Sequence, residues 1–194
     1  MFLVEPHETP ESAELYAASV ATDGYVANYL RVWSHRPDLS AQFLALRSAT
    51  VAGSGLDDRE VAVVNAAAAS ARADSYCSLA WGAKLAGRTT ETAAAAVIEQ
   101  RAPVDLTERE IALASWARAV VTDPGSTTQA DVDRLRALGI ADDDLVAVTL
   151  LAALRATFGS VNAALGAHPD GALLRNAPTS VREAVTFGRA PEAP

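Results

Sequence analysis

Residues 57–87 read DDREVAVVNAAAASARADSYCSLAWGAKLAG, and this stretch decides the fold because it holds two helix starts in succession. Asp57 and Glu60 have the spacing of a capping box, in which the first side chain bonds the third helical amide and the glutamate bonds back. Leu56 and Val61 stand where a hydrophobic staple would set the entry of the chain. A helix is predicted from there to about Arg72. After a short break, Asp74 has the position of a second N-cap, for a helix ending at Gly87.

The same reading extends in both directions. Thr9-Pro10-Glu11 starts a helix to about Ala21, and a second runs from about Val26 to Ser34. The latter must stop ahead of Pro37, and a third restarts there and reaches about Val51. Thr89-Thr90 opens a short helix to about Gln100. Thr107 and Glu110 repeat the capping box, and behind them Leu113, Trp116, Ala117, Val120 and Val121 share one helical face. Thr128–Ala137 and a long helix from about Asp143 to Leu165 follow, with a bend or break at Gly159 and a last helix over Ser180–Phe187. The end from about residue 189 is expected to fray. Residues 143–166 echo residues 59–87 in ending on Ala-Leu-Gly where the first segment has Leu-Ala-Gly, so two related helical hairpins are one arrangement the pattern allows; the other is chance likeness between Ala-rich helices.

Alanine supplies about a fifth of the 194 residues, and it is the best helix former. Strictly alternating β-branched runs are scarce. The expected fold is therefore all-α, as a single domain over residues 1–194. A net charge of −8 repels phosphate backbones and anionic lipids, so neither nucleic acid nor a membrane surface is an expected partner. The N-terminus lacks a basic region followed by a long apolar run, and no uninterrupted apolar stretch reaches bilayer length. One cysteine, Cys77, excludes an intramolecular disulfide and fits a reducing, cytoplasmic setting. His7, His35 and His168 are too scattered for a metal site, and no glycine-rich nucleotide fingerprint occurs, so neither a metal nor a cofactor is expected.

Chemistry concentrates in residues 74–82, DSYCSLAWG. With Asp74 as cap, Cys77 takes the third helical position, where unpaired amides and the helix dipole favour a thiolate. Asp74 pulls the other way, since a nearby carboxylate favours the neutral thiol. The alternative reading of Cys77 is a small core hydrophobe.

These residues resemble the catalytic region of the carboxymuconolactone decarboxylase and AhpD-like alkylhydroperoxidase superfamily. That family opens its second helix with C-x-x-C-x-x-x-H. Here Cys77 matches the second cysteine, Asp74 stands in place of the first, and Trp81 replaces the histidine. Glu60 matches the proton-relay glutamate. Residues 28–46 and 106–166 are similar to the N- and C-terminal parts of the peroxidase-related branch, so the likeness spans about 25–170. It implies an AhpD-like helical bundle that forms homo-oligomers.

The departures exclude a two-cysteine cycle within one chain. What the resemblance leaves is a one-cysteine cycle, in which Cys77 reduces a peroxide, becomes sulfenic acid and is restored by an external thiol. Glu60 would be the base and Tyr76 the proton donor, beside Asp74, while Trp81 and Ser78 would line the substrate pocket. Two readings compete with it. One is a non-redox, decarboxylase-like enzyme acting on a small carboxylated metabolite. The other is a scaffold of the same fold without catalysis.

Overall fold

The computed structural model describes residues 1–102 and 105–192. Among these residues the chain forms eleven α-helices and no strand. In order they are α1 (Pro10–Asp23), α2 (Asn28–Trp33), α3 (Pro37–Ala52), α4 (Asp58–Ala71), α5 (Ser75–Ala86) and α6 (Glu91–Ile98). After them come α7 (Glu108–Thr122), α8 (Gln129–Ala137), α9 (Asp142–Ala164), α10 (Gly171–Asn176) and α11 (Thr179–Ala184).

The predicted starts are where the capping residues placed them. Thr9, Asp57, Asp74, Thr90, Thr107 and Thr128 all accept a backbone N–H at a helix entry. Such a bond satisfies a donor that would otherwise be orphaned, and is worth about 1 kcal/mol.

Helix α4 is the axis of the molecule. Every residue from Glu60 to Ser70 is buried, and α5, α6, α7 and α9 pack around it. Its consecutive alanines present no large knob on any side, so four neighbours can approach closely. Leu79 and Leu85 from α5, Leu113 from α7 and Leu151 from α9 fill the space beside it. Burying each such side chain stabilises the fold by roughly 1.5–3 kcal/mol.

Three expectations need correction. Helix α9 runs unbroken through Gly159, so residues 143–166 supply one helix where residues 59–87 supply two, and there is no second hairpin. Gly159 is instead a close-approach site: a methyl group there would come within 3.0 Å of Asp74 Cγ. Helix α10, beyond the turn at His168–Gly171, was not foreseen. The tail over residues 189–192 is tied down rather than frayed. Ser75 donates to the Arg189 carbonyl at 2.7 Å, and the Glu192 amide donates to the Pro169 carbonyl at 3.0 Å.

By length and composition α9 could span a bilayer. In this fold it packs on α3, α4 and α7 and carries Arg155, which is 7% exposed.

Candidate functional site

The turn between α4 and α5 sets the site. Ala73 adopts a left-handed conformation, with φ 52°. For a residue with a Cβ that conformation costs roughly 1–2 kcal/mol. It lets the Asp74 amide reach back to the Ala69 carbonyl at 3.0 Å and brings Asp74 to the head of α5. Asp74 Oδ1 then accepts the Cys77 amide at 3.1 Å. Its Oδ2 is buried against Gly159 with no hydrogen-bond partner among the described residues.

This cap changes what the helix start does for Cys77. The amide expected to favour a thiolate is spent on the Asp74 carboxylate. The sulfur is 2% exposed as part of its residue, and burial pushes the Cys77 thiol up to about 12. Asp74 pushes the same way and Arg155 opposes both. Burial and Asp74 thus favour the neutral thiol, and the contribution of the helix start does not outweigh them.

Arg155 was not found by sequence reasoning. Its Nη1 lies 3.2 Å from Cys77 Sγ, and its Nε donates to Asn65 Oδ1 at 2.9 Å. Asn65 in turn donates to the Val61 carbonyl one turn back on α4, at 2.7 Å. The guanidinium is thus held from behind and aimed at the sulfur. A signal was available in the sequence. Arg155 is the single charge between Leu145 and Ala164, on the same face as Leu151 and Phe158.

A cavity of about 170 Å³ opens onto the sulfur. Its walls are aromatic: Tyr29, Phe43, Tyr76, Trp81 and Phe158. Tyr29 meets Tyr76 edge-on with centroids 5.9 Å apart, and Phe43 stacks on Phe158 at 5.7 Å. Three cations face the same space. Lys84 Nζ lies 4.6 Å from the Trp81 ring centroid, and the Arg155 and Arg47 guanidinium carbons lie at 5.2 Å and 5.4 Å. Such cation–π contacts hold the charges in place around the indole.

Of the residues predicted for the site, Cys77, Tyr76 and Trp81 line the cavity. Asp74 stands at the head of the same helix. Ser78 is fully buried with an unpartnered hydroxyl and does not line the cavity. Tyr76 forms a wall, but its hydroxyl donates to Asp170 Oδ2, and Asp170 also accepts the Asn28 amide. Burial and the Asp170 charge push the Tyr76 phenol well above its ordinary range, so its proton is committed there rather than offered to a substrate. The Asp170 carboxyl is itself raised, by burial above all.

Glu60 is not brought to the site. One oxygen accepts the Asp57 amide at 3.1 Å, and the other pairs with Arg109 at 2.5 Å. Arg59 reciprocates by pairing with Glu110, the glutamate of the α7 capping box. The two boxes thus exchange arginines, and Glu60 is a structural ion-pair partner between α4 and α7. Among the described residues no group of three or more His, Cys, Asp or Glu side chains converges as a metal site.

No protein-family model matches the chain, and no curated protein matches it. Solved structures do. The alkylhydroperoxidase AhpD core of an uncharacterized peroxidase-related protein from Ralstonia eutropha JMP134 is 22% identical, with a TM-score of 0.78 over 98% of this chain and 97% of that one. An uncharacterized peroxidase-related protein from Silicibacter sp. TM1040 is 20% identical, with a TM-score of 0.77 over 88% and 92%. The debrominase Bmp8, carrying a cysteine-to-alanine substitution and in complex with 2,3,4-tribromopyrrole, is 20% identical, with a TM-score of 0.72 over 90% and 95%. The chain therefore has the AhpD-like all-helical fold.

Proposed function

We propose that this chain is a single-cysteine oxidoreductase that reduces a peroxide at Cys77 and is regenerated by an external thiol. The observation that carries the reading is the Arg155 guanidinium, almost wholly buried and 3.2 Å from a sulfur at the end of a cavity. A fixed cation there favours the thiolate, the form of the sulfur that attacks, and opposes the burial that keeps its proton on.

The chemistry balances without a second cysteine. The Cys77 sulfur attacks the distal peroxide oxygen, a sulfur–oxygen bond forms, and the oxygen–oxygen bond breaks. The thiol proton goes to the departing oxygen, giving an alcohol and a sulfenic acid. Two equivalents of an external thiol then reduce the sulfenic acid, yielding water, a disulfide of that thiol and free Cys77. The reducing compartment that a lone cysteine fits would supply the thiol. Self-association belongs to the same proposal, and a stable monomer by sizing chromatography with light scattering refutes that part.

Two features separate this reading from its competitors. Of the three groups expected to perform acid–base catalysis on a carboxylated metabolite, Glu60 is engaged with Arg109 and Tyr76 with Asp170, and Asp74 caps α5 outside the cavity lining. An inactive scaffold gives no reason for a buried arginine aimed at the thiol. The debrominase neighbour shows that the fold accommodates activities other than peroxide removal.

The test is brief exposure to peroxide at pH 9 with dimedone present, followed by mass spectrometry. The expected product is a dimedone adduct on Cys77, with peroxide turnover sustained by dithiothreitol and absent in Cys77→Ala. A thiol that stays reduced while peroxide persists overturns the reading.

A further inference from the structure

The Cys77 cavity collects charge of one sign. Arg47, Lys84 and Arg155 all face it, and its lining contains no aspartate or glutamate. None of the three forms an ion pair among the described residues, although the chain has 24 acidic residues. Of the three, Arg155 is buried, Arg47 half-buried and Lys84 exposed at the rim, and gathering like charges around one cavity without counter-charges is unfavourable because each repels the others. Burial pulls the Lys84 ammonium below its usual range, and Arg47 and Arg155 pull it further; burial and then Arg155 do the same to Arg47. An arrangement of this kind is relieved by an anion.

The shape narrows the class. An engineered apolar cavity of roughly 150 Å³ holds benzene. The volume here, about 170 Å³, suits one six-membered ring with a small substituent. Trp81 and Phe158 line the cavity beside Tyr29, Phe43 and Tyr76, and Arg155 lies over both Trp81 and Phe158, so a ring entering there meets aromatic walls with a cation at hand. A neighbouring hollow of about 440 Å³ shares Tyr29, Tyr76, Ala80 and Lys84 with the cavity and carries Asp23 and Asp170. Its carboxylates repel an anion, so a negative ligand is directed to the cationic side, next to the sulfur.

We infer that the cavity binds a small anion built on a single planar ring, an aryl carboxylate in chemical class, with the ring among the aromatic walls and the charge on Arg47, Lys84 and Arg155. As a statement about substrate this rests on the reading of Cys77 given above. As a statement about binding it stands apart from any reaction of the thiol.

The experiment uses benzoate as the probe, with benzamide as its neutral counterpart and acetate as the anion without a ring. Binding is followed by calorimetry in the reduced wild-type protein and in Cys77→Ala. Benzoate is expected to bind both proteins at least about tenfold more tightly than benzamide, the ratio a charge-assisted hydrogen bond supplies, and at least about tenfold more tightly than acetate, which has no ring to bury. Arg47→Met and Lys84→Met are each expected to weaken benzoate several-fold while leaving benzamide unchanged. Benzamide binding as well as benzoate, acetate binding as well as benzoate, or no benzoate binding to either protein overturns the inference. If Cys77 proves inert to peroxide while benzoate still binds with this selectivity, the peroxidase reading fails and the anion site stands.

Discussion

Two groups of charge, each with a buried member, lie along α4, and they are built on opposite terms. At its N-terminal end, Glu60 and Glu110 each close a capping box and each accept the other helix's arginine, so every charge has a partner. Five residues on, about 7.5 Å along the helix axis, Asn65 leads to Arg155, which has a thiol where a carboxylate would be expected. Arg47 and Lys84 share that deficit. Paired charge locks two helices together and offers nothing to a ligand. Unpaired charge weakens the fold slightly and leaves a site. Glu60 was the attractive catalytic residue on sequence and Arg155 had no assigned part, yet Glu60 is paired with Arg109 and it is Arg155 that lies against the thiol.

The contrast can be broken most visibly with pH. An unfolded cysteine ionises near ~8.5, whereas the folded Cys77 thiol is held up to about 12. Below ~8.5 neither state is ionised and the full stability is present. Between the two values the unfolded chain releases a proton that the folded chain keeps, so stability falls as pH rises, by about 1.4 kcal/mol per unit and on the order of 5 kcal/mol in all. Buried tyrosines add to the fall above pH ~10, Tyr25 among them, itself raised to about 12. Urea titrations between pH 8.5 and 10 should show the slope in the wild type and lose it in Cys77→Ser. An equal slope in both would mean the thiol ionises normally.

Replacing Arg155 by Met tests the unpaired side directly. Sulfenic acid formation at Cys77 should fall on the order of 100-fold, about 2.7 kcal/mol, as for loss of one preorganised donor. The pH at which the thiol becomes reactive should also rise. Stability should change little, because an unpaired buried cation leaves together with its bond to Asn65. A variant that unfolds but keeps normal thiol chemistry would mean that Arg155 is structural.

Gly159→Ala presses on the cap that joins the two regions. The added methyl meets the Asp74 carboxylate, and overpacking of this kind should destabilise by about 2 kcal/mol in thermal unfolding. The Cys77 alkylation rate should rise as the head of α5 loosens. Glu60→Gln gives the smallest effect, about 1.5 kcal/mol, from weakening a charge-assisted pair that is partly exposed. Here alkylation of Cys77 and peroxide turnover should not change. A large loss of turnover in Glu60→Gln with stability intact would restore its catalytic role.

Much of the fold was legible. Thr9, Asp57, Asp74, Thr90, Thr107 and Thr128 each announced a helix because capping is a conversation among residues three apart. Of the two pocket residues read from the resemblance of DSYCSLAWG, Trp81 lines the cavity and Ser78 does not, while Cys77 and Tyr76, read as catalytic groups, also line it. Gly159 misled, because a glycine inside a helix marks either a break or a close neighbour, and sequence spacing does not separate the two. The tail misled for a related reason, since Ser75 and Pro169 are the residues that hold it and both lie far from it in sequence.

The amino-acid sequence by itself determined an all-helical chain, its helix starts and the placement of its one cysteine three residues after a cap. Those features depend on contacts within a single turn. Only the tertiary structure decided which charges meet: Arg109 reaches Glu60 across 49 residues, and Arg155 reaches Cys77 across 78. A side chain's proton affinity and its role follow from its neighbours' charge and from its distance to water. Both are set when helices pack and cannot be read along the chain.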